Sequence, residues 1–420
     1  EPVDFAAMMQ QMQQQIQEQF SKLGINPGGF CGSTEALPKN LVRDTAKKFA
    51  TAQGSAPIGA NDVSDVEQAL SIAELWLNDA TFFPQSPNTG NPALARTDWV
   101  DSTLAGWQTT VEPLAVGLSS AIGELLNQAQ GEANPFGEEN PFGQEQMQLP
   151  IGMISALLNS FIGSLIATQL GQAIGGLAGK VTGAHDVGLP LIDGAYPSLV
   201  PQNIKEWATD LDIPMEEVRI FHALREAAIA RLFAHNPWLV SYIRTAITDY
   251  GKGINIDMEA IQDQAQRAFE SGNGFDPSNP ESFTIALNDG IFTPQETPAQ
   301  RAALTKLETA LALIDGWSEE VVSLAAGERL PNIAALQETL RRRRATSAPA
   351  QQLFSSLLGL QVSPRLARES AAFWKQVREI KDVESRDRVW SGILPTADDL
   401  LTPESFLKSL EVPDDLSGLL

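Results

Sequence analysis

The sequence predicts a mainly α-helical fold with at most a few short strands, and three observations carry that reading. Apolar residues recur at three- and four-residue steps along the 420-residue chain, the period of a helix with one buried stripe. No charged residue falls between Glu145 and Lys180, as expected of a helix buried on all sides. Pro, Gly and Asn punctuate the periodic stretches where helices start and stop.

From the N-terminus, Phe5, Met8, Met9, Met12, Ile16, Phe20 and Leu23 lie on one face of a glutamine-rich segment. This predicts an amphipathic helix over residues 1–30 that docks on the body or on a partner. Region 31–148 is helical as well. Ser64 and Glu67 have capping-box spacing ahead of Leu70, Ala73 and Leu77, and Trp99, Leu104, Trp107, Val111 and Leu114 mark a second core face. The region closes on an acidic loop that repeats Asn-Pro-Phe-Gly at 134–137 and 140–143, with the composition of an exposed insertion.

A third region, 149–420, opens with the uncharged segment 149–179. Gly171, Gly175 and Gly179 repeat there at the spacing that lets helices approach closely. Asn159, Ser160, Ser164, Thr168, Gln169 and Gln172 are scattered through it, so it reads as a core helix and not a lipid-facing one. Short apolar pieces broken by Gly and Pro follow, with room for one or two short strands. Pro214 with Glu216 and Glu217 starts a helix over 214–235, and Asn236-Pro237 stops it. "NGFDPSNPESF" and "FTPQETPAQ" read as loops. Leu304, Leu307, Leu311, Ile314 and Val321 mark a long helix, and Arg341 to Arg344 close another, favourably for its dipole.

Composition limits the function. Fifty-two acidic against 29 basic residues give a net charge of −23, which repels nucleic acid and anionic membrane surfaces. The expected partner is a protein or peptide, with no nucleic acid and no membrane insertion; a homo-oligomer is compatible with the sequence. Cys31 is the only cysteine, so there is no disulfide framework and no cysteine zinc knuckle, which agrees with a reducing cytoplasm.

The chemistry centres on "FHALREAAIARLFAHNPWL", Phe221 to Leu239. A zinc protease helix places two histidines one turn apart to hold the metal, with a glutamate beside the first to activate water. Glu226 stands in that glutamate's place, but the histidine slots read Arg225 and Ile229. Arginine stays protonated and isoleucine has no donor atom, so neither ligates zinc. No metal or other cofactor is therefore expected. The alternative is zinc on His222 and Glu226, one turn apart, with His185 or Asp186 folded over them. His235 at the helix end suits interaction with the last carbonyls. Neither a Gly-x-Ser-x-Gly elbow nor a phosphate loop occurs.

Several segments together carry a family resemblance: "LREAAIARLFAHNPWL", "LETALALIDGWSEEVV", "RLPNIAALQETLRRRR", "LLGLQVSPRLARESAAFWKQV", "VESRDRVW" and "LPTADDL". From about residue 149 to about 401 the chain resembles the actinobacterial zincin-like metallopeptidases, which also carry a label as hydrolases associated with coenzyme F420 biosynthesis. The resemblance implies a largely helical zincin-like fold with His-Glu-x-x-His, or an arginine-first variant, in the motif helix. It sets Arg225, Ile229 and Asp315 at ligand positions and Glu226 at the general-base position. The expectation is a catalytically inactive homologue that binds or scaffolds protein, with a metal-dependent hydrolase around His222 and Glu226 as the alternative.

Overall fold

A computed structural model describes residues 37–131, 151–253, 297–347 and 366–410. The expected helix of 1–30, the Asn-Pro-Phe-Gly loop and the loop "NGFDPSNPESF" lie outside the described residues. Among the described residues there are twelve α-helices and no strand, in keeping with the mainly α expectation. The room left for strands holds only two isolated bridges, Ala93 with Leu199 and Gly183 with Leu199. Pro190, Pro197 and Pro201 crowd this stretch; each lacks a backbone donor, and a ladder cannot extend through them.

The chain opens with α1 (Lys39–Ala52), α2 (Ala60–Leu77), α3 (Arg96–Gly131) and α4 (Ile151–Ala178). The helix α2 begins a turn earlier than the Ser64 spacing predicted: Asp62 accepts a hydrogen bond from the Gly59 amide at 3.0 Å. Gly59 itself is extended, with φ −91° and ψ 164°, so the boundary falls there and Ser64 sits inside the helix. The uncharged helix α4 packs on α1 through its glycines. A Cβ on Gly175 would lie 2.6 Å from the Ala46 carbonyl oxygen, and one on Gly171 would lie 2.8 Å from that of Val42. Ala167, Leu170, Ile174 and Leu177 are buried beside this contact. None of the described helices is long and apolar enough to cross a membrane.

Next come α5 (Pro201–Trp207), α6 (Met215–His235), α7 (Pro237–Lys252), α8 (Pro298–Ala326) and α9 (Ile333–Ser347). The chain ends in α10 (Ala367–Ile380), α11 (Val383–Arg388) and α12 (Pro403–Leu410). Thr297 caps α8 by accepting from the Gln300 amide at 3.1 Å. Pro237 serves two helices: it follows the end of α6 and occupies the first position of α7, where its missing N–H is not needed.

The helix α6 is the centre of the structure. Every residue from Ile220 to Phe233 is buried, with α2, α5, α7, α8 and α9 packed around it. Its apolar residues join one core cluster that runs from Leu37 to Leu407 and includes the fully buried Trp99, Trp107, Trp317, Trp374 and Trp390. A helix enclosed on all sides must also find partners for its polar side chains, and α6 buries His222, Arg225, Glu226 and Arg231.

Candidate functional site

The Glu226 carboxylate points into the turn-rich segment between α4 and α5. It accepts hydrogen bonds from the backbone amides of Ala184 at 3.1 Å, His185 at 3.0 Å and Ser198 at 3.1 Å. The His185 ring donates to it as well, through Nδ1 at 2.8 Å. Both carboxylate oxygens are thus held by the protein itself. Gly183 makes this approach sterically possible, since a Cβ there would lie 2.3 Å from Glu226 Oε2. The glutamate ties α6 to an irregular segment that has no ladder to hold it.

Its neighbour Arg225 turns the other way. Arg225 Nη2 donates to Asp315 Oδ1 on α8 at 2.7 Å, and both side chains are largely buried. A second cation, Arg344 from the last turn of α9, reaches the same Asp315 oxygen. It also donates to Asp186 Oδ1 at 2.7 Å. Asp186 Oδ2 accepts in turn from the Thr182 amide at 2.9 Å. Two arginines and two aspartates therefore form a quartet with no net charge, joining α6, α8, α9 and the segment after α4. Burial on its own would raise the pKa of both aspartates. The Arg344 charge, with Arg225 beside Asp315 and the Thr182 amide on Asp186, outweighs it and holds both below the usual carboxylate range.

His222 lies one turn before Glu226 but does not join it. Its ring meets Trp207 edge-on at 4.7 Å, and its Nε2 is buried without a hydrogen-bond partner. Burial pushes its pKa down to about 3 against the pull of Asp186. Ile229, one turn after Arg225, is buried in the apolar core. His185, His222 and Glu226 do not converge as a three-donor set: among the described residues, no three His, Cys, Asp or Glu side chains come together as a metal group. His235 does not cap its own helix. Its Nε2 lies 3.1 Å from the Pro84 carbonyl oxygen, and its ring stacks on Phe83.

Two residues of this site carry no local sequence signal for their roles. Arg344 reads as helix-end charge, yet it is the cation shared by both aspartates. Asp387, within "VESRDRVW", is fully buried and accepts from the Phe82 amide at 2.7 Å, Thr81 Oγ1 at 2.6 Å, Trp317 Nε1 at 2.8 Å and Arg386 Nε at 2.8 Å. The Asp315-Gly316-Trp317 triplet is thereby divided. Asp315 meets the arginines, Gly316 admits the Ser370 side chain of α10, and Trp317 holds Asp387.

Fold and site together define a mainly α-helical protein built around one buried, charge-bearing helix. Residues 39–407 match the Zincin-like metallopeptidase family, and the chain belongs to it. In structure the chain is similar to a "putative hydrolase with a novel fold" from Chloroflexus aurantiacus, with a TM-score of 0.59 and 18% identity over 90% of this chain and 100% of that one. At that identity the likeness concerns the fold. Comparison with curated proteins gives no match.

Family membership implies zinc, which catalytic sites hold with three protein ligands and one open position. The residues where the resemblance sets the ligands do not fit it. Arg225 is a cation, Ile229 has no lone pair, and Asp315 already accepts from two guanidinium groups. Glu226 is held by three amides and an imidazole, so both of its carboxylate oxygens are already engaged.

Proposed function

We propose that this chain is a catalytically inactive member of the zincin-like metallopeptidase family that acts by binding a protein or peptide. The observation that carries this reading is the self-satisfaction of the motif helix. Arg225 pairs with Asp315, while Glu226 is spent on the amides of Ala184, His185 and Ser198. A general base must reach the proton it removes, and a carboxylate engaged on both oxygens is placed to support the fold instead. The single cysteine and acidic balance agree with work in the cytoplasm on a protein partner. No residue supports the F420 label.

The test combines elemental analysis of protein purified gently without chelator with an assay against a mixed peptide library. The expected result is no zinc above trace level and no cleavage. Near-stoichiometric zinc, together with cleavage that Glu226→Gln abolishes at unchanged thermal midpoint, would overturn the proposal.

A further inference from the structure

The four arginines of α9 divide by partner. Arg342 turns back to Glu338 on its own helix, and the other three reach the body of the protein. Arg341 meets Glu319 of α8, through Nη2 at 2.6 Å and Nε at 3.2 Å. The Arg343 guanidinium lies 4.5 Å from the Trp207 ring centroid, with Asp210 acting on its charge. Arg344 enters a recess between α6, α8 and the segment after α4, where one planar fork serves Asp315, Asp186 Oδ1 and the Asp186 carbonyl. Each of the three thus has its own receptor: a carboxylate, an indole face with an acid near it, and a pair of largely buried carboxylates. This is the arrangement of a helical ligand on an acidic surface, with the ligand supplied by the chain itself. The fit is incomplete, since Arg344 Nε is buried without a hydrogen-bond partner. The apolar hold is narrow as well: Leu336 is fully buried, and Ile333 and Leu340 only partly so.

We propose that this surface is a binding site for an arginine-bearing segment of a partner protein, and that α9 occupies it in cis as an autoinhibitory contact. Simple opening is disfavoured, because Asp186 and Asp315 would be left largely buried with Arg225 the one cation remaining in the quartet. Exchange avoids that cost. An incoming guanidinium restores the pairing as α9 gives it up, so the partner must bring arginine. Lysine does not substitute: an ammonium is a point charge, whereas Arg344 spans the acceptors of two residues through two separate nitrogens. The net charge of −23 draws a basic partner in from a distance but does not choose between the two cations. The proposal rests on the binding role proposed above and names the partner's chemistry.

Fluorescence anisotropy with three labelled peptides tests it: residues 333–347 as they stand, the same peptide with Arg341, Arg343 and Arg344 each changed to Lys, and the same with each changed to Gln. The full chain is compared with its Arg344→Gln variant, in which the internal competitor is weakened. The arginine peptide is expected to bind the variant roughly tenfold more tightly than the unaltered chain, because a tethered occupant competes at high effective concentration. On the variant, the lysine peptide should bind roughly tenfold more weakly than the arginine peptide, and the glutamine peptide more weakly still. Arg343→Gln, which leaves the quartet intact, serves with a smaller gain if Arg344→Gln does not fold. On the unaltered chain, an excess of arginine peptide should remove hydrogen-exchange protection along α9 and leave α6 protected. Equal binding of the arginine and lysine peptides would reduce the surface to general attraction by an acidic chain and overturn the proposal. Equal binding to the variant and the unaltered chain, or no binding to either, would overturn it too. Cleavage of the arginine peptide would instead refute the inactive reading while leaving the exchange site standing, so the two failures are distinguishable.

Discussion

Replacing Arg344 by Ala should destabilise the protein more than replacing Arg225, although Arg225 lies on the central helix and Arg344 at the end of a peripheral one. The reason is how many carboxylates each change leaves behind. Arg225→Ala removes one charge-assisted hydrogen bond to Asp315, but Arg344 still faces that carboxylate. The expected cost is therefore about 1.5–3 kcal/mol, the usual value of a hydrogen bond to a charged group. Arg344→Ala removes donors from Asp315, Asp186 Oδ1 and the Asp186 carbonyl together, leaving two largely buried carboxylates with one cation. Stranding a buried charge costs about 3–5 kcal/mol. Urea unfolding of both variants, analysed at constant m-value, measures the difference. A cycle with Asp315→Ala should show coupling above about 0.5 kcal/mol for each arginine, as expected of groups in direct contact. Equal costs for the two arginines, or additive effects in the cycle, would refute the quartet as the source of stability.

Glu226→Gln should cost about 2–4 kcal/mol, because an amide cannot replace a carboxylate that accepts from three backbone N–H groups; an unchanged urea midpoint would contradict this. His222 is held neutral by burial, its pKa near 3 against 6.5 for the free side chain. Between these values the unfolded state binds the extra proton, so stability is full above pH 6.5 and falls as the pH drops below it, by up to about 1.4 kcal/mol per pH unit. His222→Phe should flatten stability between pH 6.5 and 5, and an unaltered slope in that variant would refute the assignment. Leu170→Asp, at a fully buried position against α1, should give insoluble protein by burying an unpaired charge; normal solubility would place α4 outside the core.

The helices were legible where the apolar period was long and the end signals strong. Pro214 with two following glutamates located α6, and the leucine spacing from Leu304 located α8. The close approach of α4 was written in Gly171 and Gly175, because small residues at helical spacing have few other uses in a buried helix. The pairing of Arg225 with Asp315 was within reach, since a cation at one ligand position calls for an anion at another. Arg344 was not. Its partner Asp186 lies 158 residues away, and a run of four arginines at a helix end is explained locally by the dipole alone. Glu226 was invisible for a different reason: most of its donors are backbone amides, which every sequence supplies. His235 shows the same limit, since a histidine in a last turn fits the local carbonyls as well as it fits a Pro84 carbonyl brought in from afar.

The quartet also explains how α9 is held. From Ile333 to Thr346 only Leu336 and Gln337 are buried, with Ile333 and Leu340 partly buried against the core, so the helix contributes only a narrow apolar stripe. Charged and polar contacts supplement that stripe. Arg344 reaches Asp186 and Asp315, Arg341 reaches Glu319 at 2.6 Å, and Gln337 reaches Ser323 at 2.7 Å. An element bound through few apolar contacts opens at lower free energy than the core it covers. The Arg344→Ala variant should therefore lose hydrogen-exchange protection along α9 first, while α6, enclosed from Ile220 to Phe233, keeps protection close to that of global unfolding. Loss of protection in α6 and α9 together would mean that the charges hold the whole body, and that α9 is not separately docked.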